Sequence, residues 1–324
     1  MAIPLVSVII STYNSSQFVI ETLESVSKQT WQNLELIITD DCSEDNTVEI
    51  CRNWIDKNSE RFYNSEILTY NINTGISANA NRGLKVANGY WIKFLGADDT
   101  LKSNCIEDNM TWIASHPLVK VLFSYIEVYM DTFEPRNLLE TIPLDPFNYK
   151  GIMASGRSAD SQYKMLLLSD RITFSPSVIL HRETLISLGG FDERFKLLED
   201  HPLWLNLTKR GYKLYFMNKV TVNYRRHSKA INNTGIPYLI NPNYFKQKEF
   251  LKIKTYPYLP PDIRLNQQFK WYASQVFRCV WLNRENSPNR ILKALLLVYL
   301  NPFRYYIFFK KRLVKNLKDN EFYM

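Results

Sequence analysis

The chain has 324 residues, 45% of them apolar and 22% charged, which fits one large globular domain or two modest ones and excludes long-range disorder. A net charge of +8 leaves nucleic acid, an anionic membrane surface and an acidic small substrate open as partners. Cys42, Cys51, Cys105 and Cys279 are too scattered for a metal knuckle or a disulfide framework, and no stretch reaches the ~18 to 20 apolar residues that span a bilayer. The run Leu5 to Ile10 is short and lacks the basic flank of a secretory signal, so the expected compartment is the cytoplasm.

In chain order, "VSVIIS" (6 to 11) reads as a strand. "QFVIETLESVSK" (17 to 28) then places Val19, Leu23 and Val26 on one helical face, with Ser15 or Ser16 able to cap it. "LELIITDD" (34 to 41) is a second strand, followed by a helix on which Val48, Cys51 and Ile55 share a face and Ser43 is a plausible N-cap. "EILTYN" (66 to 71), the short helix "SANANRGLKVAN" and the strand opening "YWIKFLGADDTL" (90 to 101) complete the alternation. Continuous apolar strands alternating with helices predict an α/β fold with a mostly parallel sheet covered on both faces. Ligands bind such sheets at the carboxyl ends of the strands, the rim to which Tyr13, Asp40, Asp41, Asp98 and Asp99 are assigned.

Further on, 118 to 130 is strand-like, and "FSPSVILHRETLISLGGFDE" reads as a strand, a short helix and a turn. "LEDHPLWLNLTKRG" is an amphipathic helix with Leu203, Trp204 and Leu207 inward and Gly211 past its end. Residues 232 to 262 read as a linker, and the remainder as a helical, aromatic and basic extension.

Two adjacent carboxylates in a cleft repel unless something compensates them. A divalent cation does so, and hard oxygen ligands suit Mg²⁺ or Mn²⁺, whose remaining positions are filled by water and substrate phosphates. The plainer reading is that Asp98 and Asp99 open a loop or cap the next helix.

Taken together, "VSVIISTYN", "DDCSEDNT", "NTGIS" and "GADD", in this order and spacing, resemble the family 2 glycosyltransferases with the GT-A fold. The resemblance covers residues 4 to 110 most strongly and 170 to 230 more weakly. It implies a catalytic domain over 1–235, with a nucleotide-sugar half (1–100) and an acceptor half (101–235); the linker and C-terminal helical extension over 236–324 are read from composition, with no resemblance found for the last eighty or so residues. It implies that Tyr13 lies against the nucleotide base, that Asp41 accepts the base's imino hydrogen, that Asp98 sits at the ribose or diphosphate and that Asp99 ligates Mn²⁺ or Mg²⁺. Uracil is the family's common base, so a UDP-sugar is the implied donor. Asn81 and Arg82 are placed at the nucleotide-sugar, Arg82 substituting for an Arg that relatives carry where this chain has Ala80. Gly96 stands where relatives often have a further Asp. Asp40 is read as a helix-dipole partner.

Transfer to a hydroxyl needs a general base. The resemblance places it in "ED" after "GGFDERF": Asp200 as base, Glu199 orienting the acceptor, with inversion at the anomeric carbon. In "NYRRHSKAI" (223 to 231), Arg225, Arg226 and His227 are expected to close over the diphosphate, with His227 a second metal ligand, or else to form a basic surface loop.

Residues 284–318 interleave Arg290, Lys293, Arg304, Lys310, Lys311, Arg312, Lys315 and Lys318 with "ILKALLLVYL" and "FRYYIFF". This suits helices lying peripherally on an anionic membrane, at the inner face of the cell membrane. A lipid-linked oligosaccharide in O-antigen or capsule synthesis is then the expected acceptor. The alternative for the tail is a helix packed on the core with a solvated basic face. Competing functions are a sugar nucleotidyltransferase, which would show a Gly- and basic-rich loop where this chain has "STYNSSQ", and a non-catalytic basic membrane- or nucleic-acid-binding protein. Nucleic acid is disfavoured because the basic excess sits beside aliphatic runs.

Overall fold

The strand β1 (Val6–Thr12) lies between two parallel neighbours, β2 (Leu34–Asp40) and β4 (Trp91–Gly96), and β2 pairs in parallel with β3 (Asn64–Thr69). This burial explains the unbroken apolar runs: all seven residues of β2 are buried. The connections are helical: α1 (Val19–Ser27), α2 (Thr47–Asn58) and α3 (Ile76–Val86). Gly83 lets α3 approach the sheet closely, because a Cβ there would lie 2.5 Å from Cγ2 of Ile9. The computed structural model describes residues 3–148, 151–196, 198–228, 237–314 and 321–323.

After β4 come β5 (Thr100–Leu101), α4 (Cys105–Ala114), β6 (Val121–Met130), β7 (Leu138–Ile142), α5 (Ala159–Leu168), β8 (Ile179–His181), α6 (Arg182–Ser187), α7 (Asp200–Lys209) and β9 (Tyr215–Arg226). Among the described residues the strands form one nine-stranded sheet, ordered β3-β2-β1-β4-β8-β6-β9-β5, with β7 on β6. The first four strands are parallel, as is the β6–β9 pair, while β8, β7 and β5 are antiparallel to their partners. The junction at β8 is held by Lys93, a fully buried lysine whose Nζ donates to the carbonyl of Pro176 at 2.7 Å. Burial pulls that ammonium's pKa down.

Two expectations need correction. The segment 223 to 226 is no surface loop but the end of β9, missed because the strand carries Lys219, Asn223, Arg225 and Arg226 among its apolar residues. The N-cap of α2 is Asn46 rather than Ser43, which bonds Asp40 instead.

The chain forms two compact units: Met1–Gln162 with Ile172–Arg226, and Tyr163–Arg171 with His227–Met324. The division falls after Arg226 and is not contiguous. The second unit carries the helices α8 (Lys248–Phe250), α9 (Pro261–Ser274), α10 (Val280–Asn283), α11 (Ser287–Ala294) and α12 (Pro302–Leu313). Asp262 on α9 takes Lys310 of α12 at 2.7 Å and the hydroxyl of Tyr323 at 2.9 Å, fastening the C-terminal residues to α9.

Candidate active site

Polar groups at the two ends of the parallel strands are treated differently. At the amino ends, buried Glu35 accepts from Ser7 Oγ (2.5 Å), the Asn88 N–H (2.8 Å) and Asn88 Nδ2 (2.8 Å), so its carboxylate is matched by protein donors. At the carboxyl ends the first unit gathers Tyr13, Asp40, Asp41, Asp98 and Asp99, as expected.

Tyr13 follows β1 directly and is 46% exposed, so its ring is offered to solvent rather than packed. Asp40 is buried and organises the turn: it accepts from Thr12 Oγ1 (2.7 Å), the Ser43 N–H (2.8 Å) and Ser43 Oγ (2.5 Å). It is a turn residue, not a helix-dipole partner.

Asp41 is engaged by four donors. Its oxygens accept from the Thr74 N–H, Thr74 Oγ1 (3.0 Å), the Gly75 N–H (2.7 Å) and Arg82 Nη1 (2.9 Å). A carboxylate offers about four lone-pair sites, so a base reaches Asp41 only by displacing one of these donors. Arg82 does stand at the site, its guanidinium stacked 3.7 Å over the ring of Tyr70. Asn81 does not. It is buried, and its amide bonds the carbonyl of Phe191 (2.9 Å), the N–H of Phe191 (2.8 Å) and Glu193 Oε1 (2.8 Å). Asn81 thus clasps the turn leading to α7 and has no N–H left for a nucleotide-sugar.

Asp98 and Asp99 lie in the turn closed by the Asp99 N–H on the Gly96 carbonyl (3.3 Å). Asp99 is 3% exposed, and Thr22 Oγ1 holds its carbonyl at 2.7 Å. A Cβ built on Gly96 would lie 2.8 Å from Asp98 Oδ1 and 3.6 Å from Asp99 Oδ2, so the two carboxylates converge over the bare Cα of that glycine. Burial, then the charge of Asp98, pushes the Asp99 carboxyl well above the usual range.

The helix α7 begins at Asp200 with Glu199 as its N-cap residue. Leu203, Trp204 and Leu207 face inward as expected, and Gly211 past the helix end has a positive φ of 88°. The turn before α7 is tied to α3 by Asn81 and to β4 by the edge-on contact of Phe191 with Phe94, ring centroids 5.0 Å apart. One α3 segment therefore holds Asp41 at its start and the approach to Asp200 along its length.

Tyr224 was missed from sequence. Burial raises its hydroxyl's pKa, and the charges of Asp99, Asp98 and Glu199 raise it further, so carboxylates of both halves bear on one phenol. Of the residues expected near a diphosphate, Arg225 is buried, and Arg226 pairs with Glu140 at 2.9 Å. His227 follows β9 directly but opens the second unit.

The sequence profile described as "Glycosyl transferase family 2" matches residues 7–171. The chain belongs to that family. It is 30% identical over 240 residues to the Escherichia coli UDP-Glc:alpha-D-GlcNAc-diphosphoundecaprenol beta-1,3-glucosyltransferase WfaP, covering 73% of this chain and 83% of that protein. It is 27% identical over 230 residues to the putative teichuronic acid biosynthesis glycosyltransferase TuaG of Bacillus subtilis, covering 71% and 82%. In fold this glycosyltransferase is similar to S. aureus TarS in complex with UDP, with a TM-score of 0.58 at 18% identity, over 98% of this chain and 88% of that one. A mannosyltransferase from Pyrobaculum calidifontis, solved with GDP-Man and Mn²⁺, gives 0.51 at 18% over 97% and 76%. The sheet and its flanking helices are accordingly a GT-A fold.

The donor set fits a divalent cation. Among the described residues no group of three or more His, Cys, Asp or Glu side chains is arranged to hold a metal. Mg²⁺ and Mn²⁺ in phosphate sites need only one or two carboxylates, and the Asp98–Asp99 pair supplies two converging oxygens whose repulsion a cation relieves.

Proposed function

We propose that this glycosyltransferase moves a hexose from a UDP-sugar to a sugar hydroxyl of a lipid-linked oligosaccharide, with inversion, in the synthesis of a surface polysaccharide such as O-antigen or capsule. The observation that carries the donor reading is the convergence of Asp98 and Asp99 over Gly96 at the end of a parallel strand. The named activity of WfaP, which takes UDP-Glc to a diphosphoundecaprenol-linked sugar, supports the donor and acceptor classes, and the UDP bound by TarS supports the base.

In this reading the exposed ring of Tyr13 packs against uracil. Arg82, with donors beyond those it gives Asp41 and Thr74, bonds a uracil carbonyl, and the Asp41 carboxylate shapes that edge of the pocket. Asp98 meets the ribose or diphosphate. Asp99 holds Mn²⁺ or Mg²⁺, which when bound offsets the charge developing on the departing diphosphate. Glu199 orients the acceptor hydroxyl, and Asp200 takes its proton as the oxygen bonds the anomeric carbon and the bond to the diphosphate oxygen breaks. No covalent intermediate is needed.

The second unit supports a peripheral place on the inner face of the cell membrane. Tyr306, Phe308, Phe309 and Leu313 of α12 are exposed beside Lys311 and Arg312. Among the described residues no single helix is long and apolar enough to cross a membrane, but Ser287–Tyr299 with Pro302–Leu313, bent by 51°, has the length and composition of a broken span or a re-entrant loop. Lys315 and Lys318 lie outside the described residues.

Calorimetry with UDP, with and without Mn²⁺, on wild type and Asp99→Ala tests the donor site. Metal-dependent binding lost in the variant is expected; wild type that ignores UDP under both conditions refutes the UDP assignment.

A further inference from the structure

Arg225 is 3% exposed, a burial that a guanidinium tolerates only when its donors are matched. Here they are matched by three segments of the first unit. Its Nε donates to the Asp98 carbonyl at 2.8 Å, Nη1 to the carbonyl of Asp131 and Nη2 to the carboxylate of Glu21 in the first turn of α1. The planar group is flanked by two rings, its carbon 4.0 Å from the centroid of Phe133 and 4.8 Å from that of Phe18. Its backbone N–H donates to Asp99 Oδ1 at 2.9 Å.

The two ends of Arg225 thus grip two successive residues of one turn. The side chain fixes the backbone of Asp98 through its carbonyl, and the main chain fixes the carboxylate of Asp99. With Oδ1 held by the N–H, Oδ2 is the oxygen left on the side of Gly96, where Asp98 Oδ1 also lies. A bidentate grip of this kind needs the fork of an arginine, since a lysine ammonium cannot satisfy Asp98, Asp131 and Glu21 in one plane while lying between two rings.

We infer that Arg225 is the positioning residue of the donor site: it sets which carboxylate oxygens of Asp98 and Asp99 face the cation and diphosphate, and touches neither ligand itself. The inference rests on the donor site proposed above. Its consequence is specific. Loosening Arg225 disturbs the part of nucleotide binding that runs through the metal and leaves the base contacts, made elsewhere on the rim by Tyr13 and Arg82, in place.

The test is calorimetric titration of UDP into full-length wild type, Arg225→Met and Arg225→Lys, with and without Mn²⁺, alongside thermal melts. The expected result is a gain in UDP affinity on adding Mn²⁺ that shrinks about tenfold or more in both variants, with metal-free UDP affinity within about twofold of wild type. An Mn²⁺ gain equal to wild type in a folded Arg225→Met overturns the inference. So does an equal loss of metal-free and metal-dependent binding that tracks the fall in Tm, the mark of a packing role alone. Should Arg225→Met not fold, Glu21→Gln serves, because Glu21 is half exposed on α1 and anchors only the outer nitrogen. There a threefold smaller Mn²⁺ gain supports the inference and an unchanged one refutes it. Failure of wild type itself to bind UDP with Mn²⁺ defeats the donor reading instead.

Discussion

Asn81 holds both backbone polar groups of Phe191, accepting from its N–H at 2.8 Å and donating to its carbonyl at 2.9 Å. Gly190 makes the approach possible: its φ is +74°, and a Cβ there would lie 2.4 Å from Asn81 Oδ1. The turn before α7 is thereby fixed to the helix that begins at the Asp41 partners. Asn81→Ala removes these bonds and strands a buried N–H, so stability falls by about 2–4 kcal/mol. The rate of transfer falls as the approach to Asp200 loosens, while UDP affinity stays near wild type. Thermal melts, calorimetry and kcat measured on one variant separate the three.

Gly96→Ala places a methyl 2.8 Å from Asp98 Oδ1 and obliges that carboxylate to swing away. Tm changes little, because the glycine has an ordinary backbone and is not part of the deep core. Metal-dependent UDP binding drops roughly tenfold, the scale of losing one well-placed ligand contact. Calorimetry in Mn²⁺ checks it, and Mn²⁺-enhanced affinity at the wild-type level would contradict it.

Asp200→Asn keeps shape and removes the proton acceptor. Transfer slows by roughly 10²–10⁴-fold with UDP affinity unchanged, whereas Glu199→Gln acts mainly on acceptor KM. Steady-state kinetics on both variants decide the assignment.

The Asp262 carboxyl of the second unit lies below the usual range: burial would raise it, but hydrogen bonds from Lys310 and Tyr323 outweigh that. A carboxyl depressed by folding contributes stability above its unfolded value of about 3.9, and that contribution is lost as pH falls through the folded value. Asp262→Asn therefore melts earlier than wild type at neutral pH, and the two curves converge in acid below about pH 4. Melts across that range check the sign.

On α12, Tyr306 and Phe309 are exposed beside Lys311 and Arg312. Replacing both aromatic residues with Ser leaves folding intact and lowers flotation with phosphatidylglycerol vesicles severalfold. Flotation unchanged by the double substitution, or equal on phosphatidylcholine alone, would argue against an anionic bilayer as partner.

What was legible in sequence was whatever a short window encodes. The strands β1, β2, β4 and β6 announce themselves as buried apolar runs, and Gly96-Ala97-Asp98-Asp99 announces a strand end with charge on it. Asn81 was misread because its partners sit 110 residues on, at Phe191, and an Asn on a helix looks the same whether it meets a ligand or a turn. The bonds that hold Asp41 were not legible because its donors, Thr74, Gly75 and Arg82, arrive after an intervening helix and strand. The end of β9 looked like a basic loop because buried arginines are rare, and the partners that stabilise this one, Glu21, Asp98, Asp131 and the rings of Phe18 and Phe133, all lie far away in sequence.

The bond from Arg225 to Asp99 spans 126 residues of chain. A nascent polypeptide that has emerged as far as β6 already owns all four parallel strands and both aspartates, yet lacks the strand that trains their oxygens. On the proposed reading, the metal-dependent part of nucleotide binding is thus completed late in the life of each molecule, with closure of the far side of the sheet, a step slowed by the length of loop to be closed. Fragments released early by proteolysis or stalled synthesis would keep the family's signature motifs without the carboxylate arrangement that β9 completes.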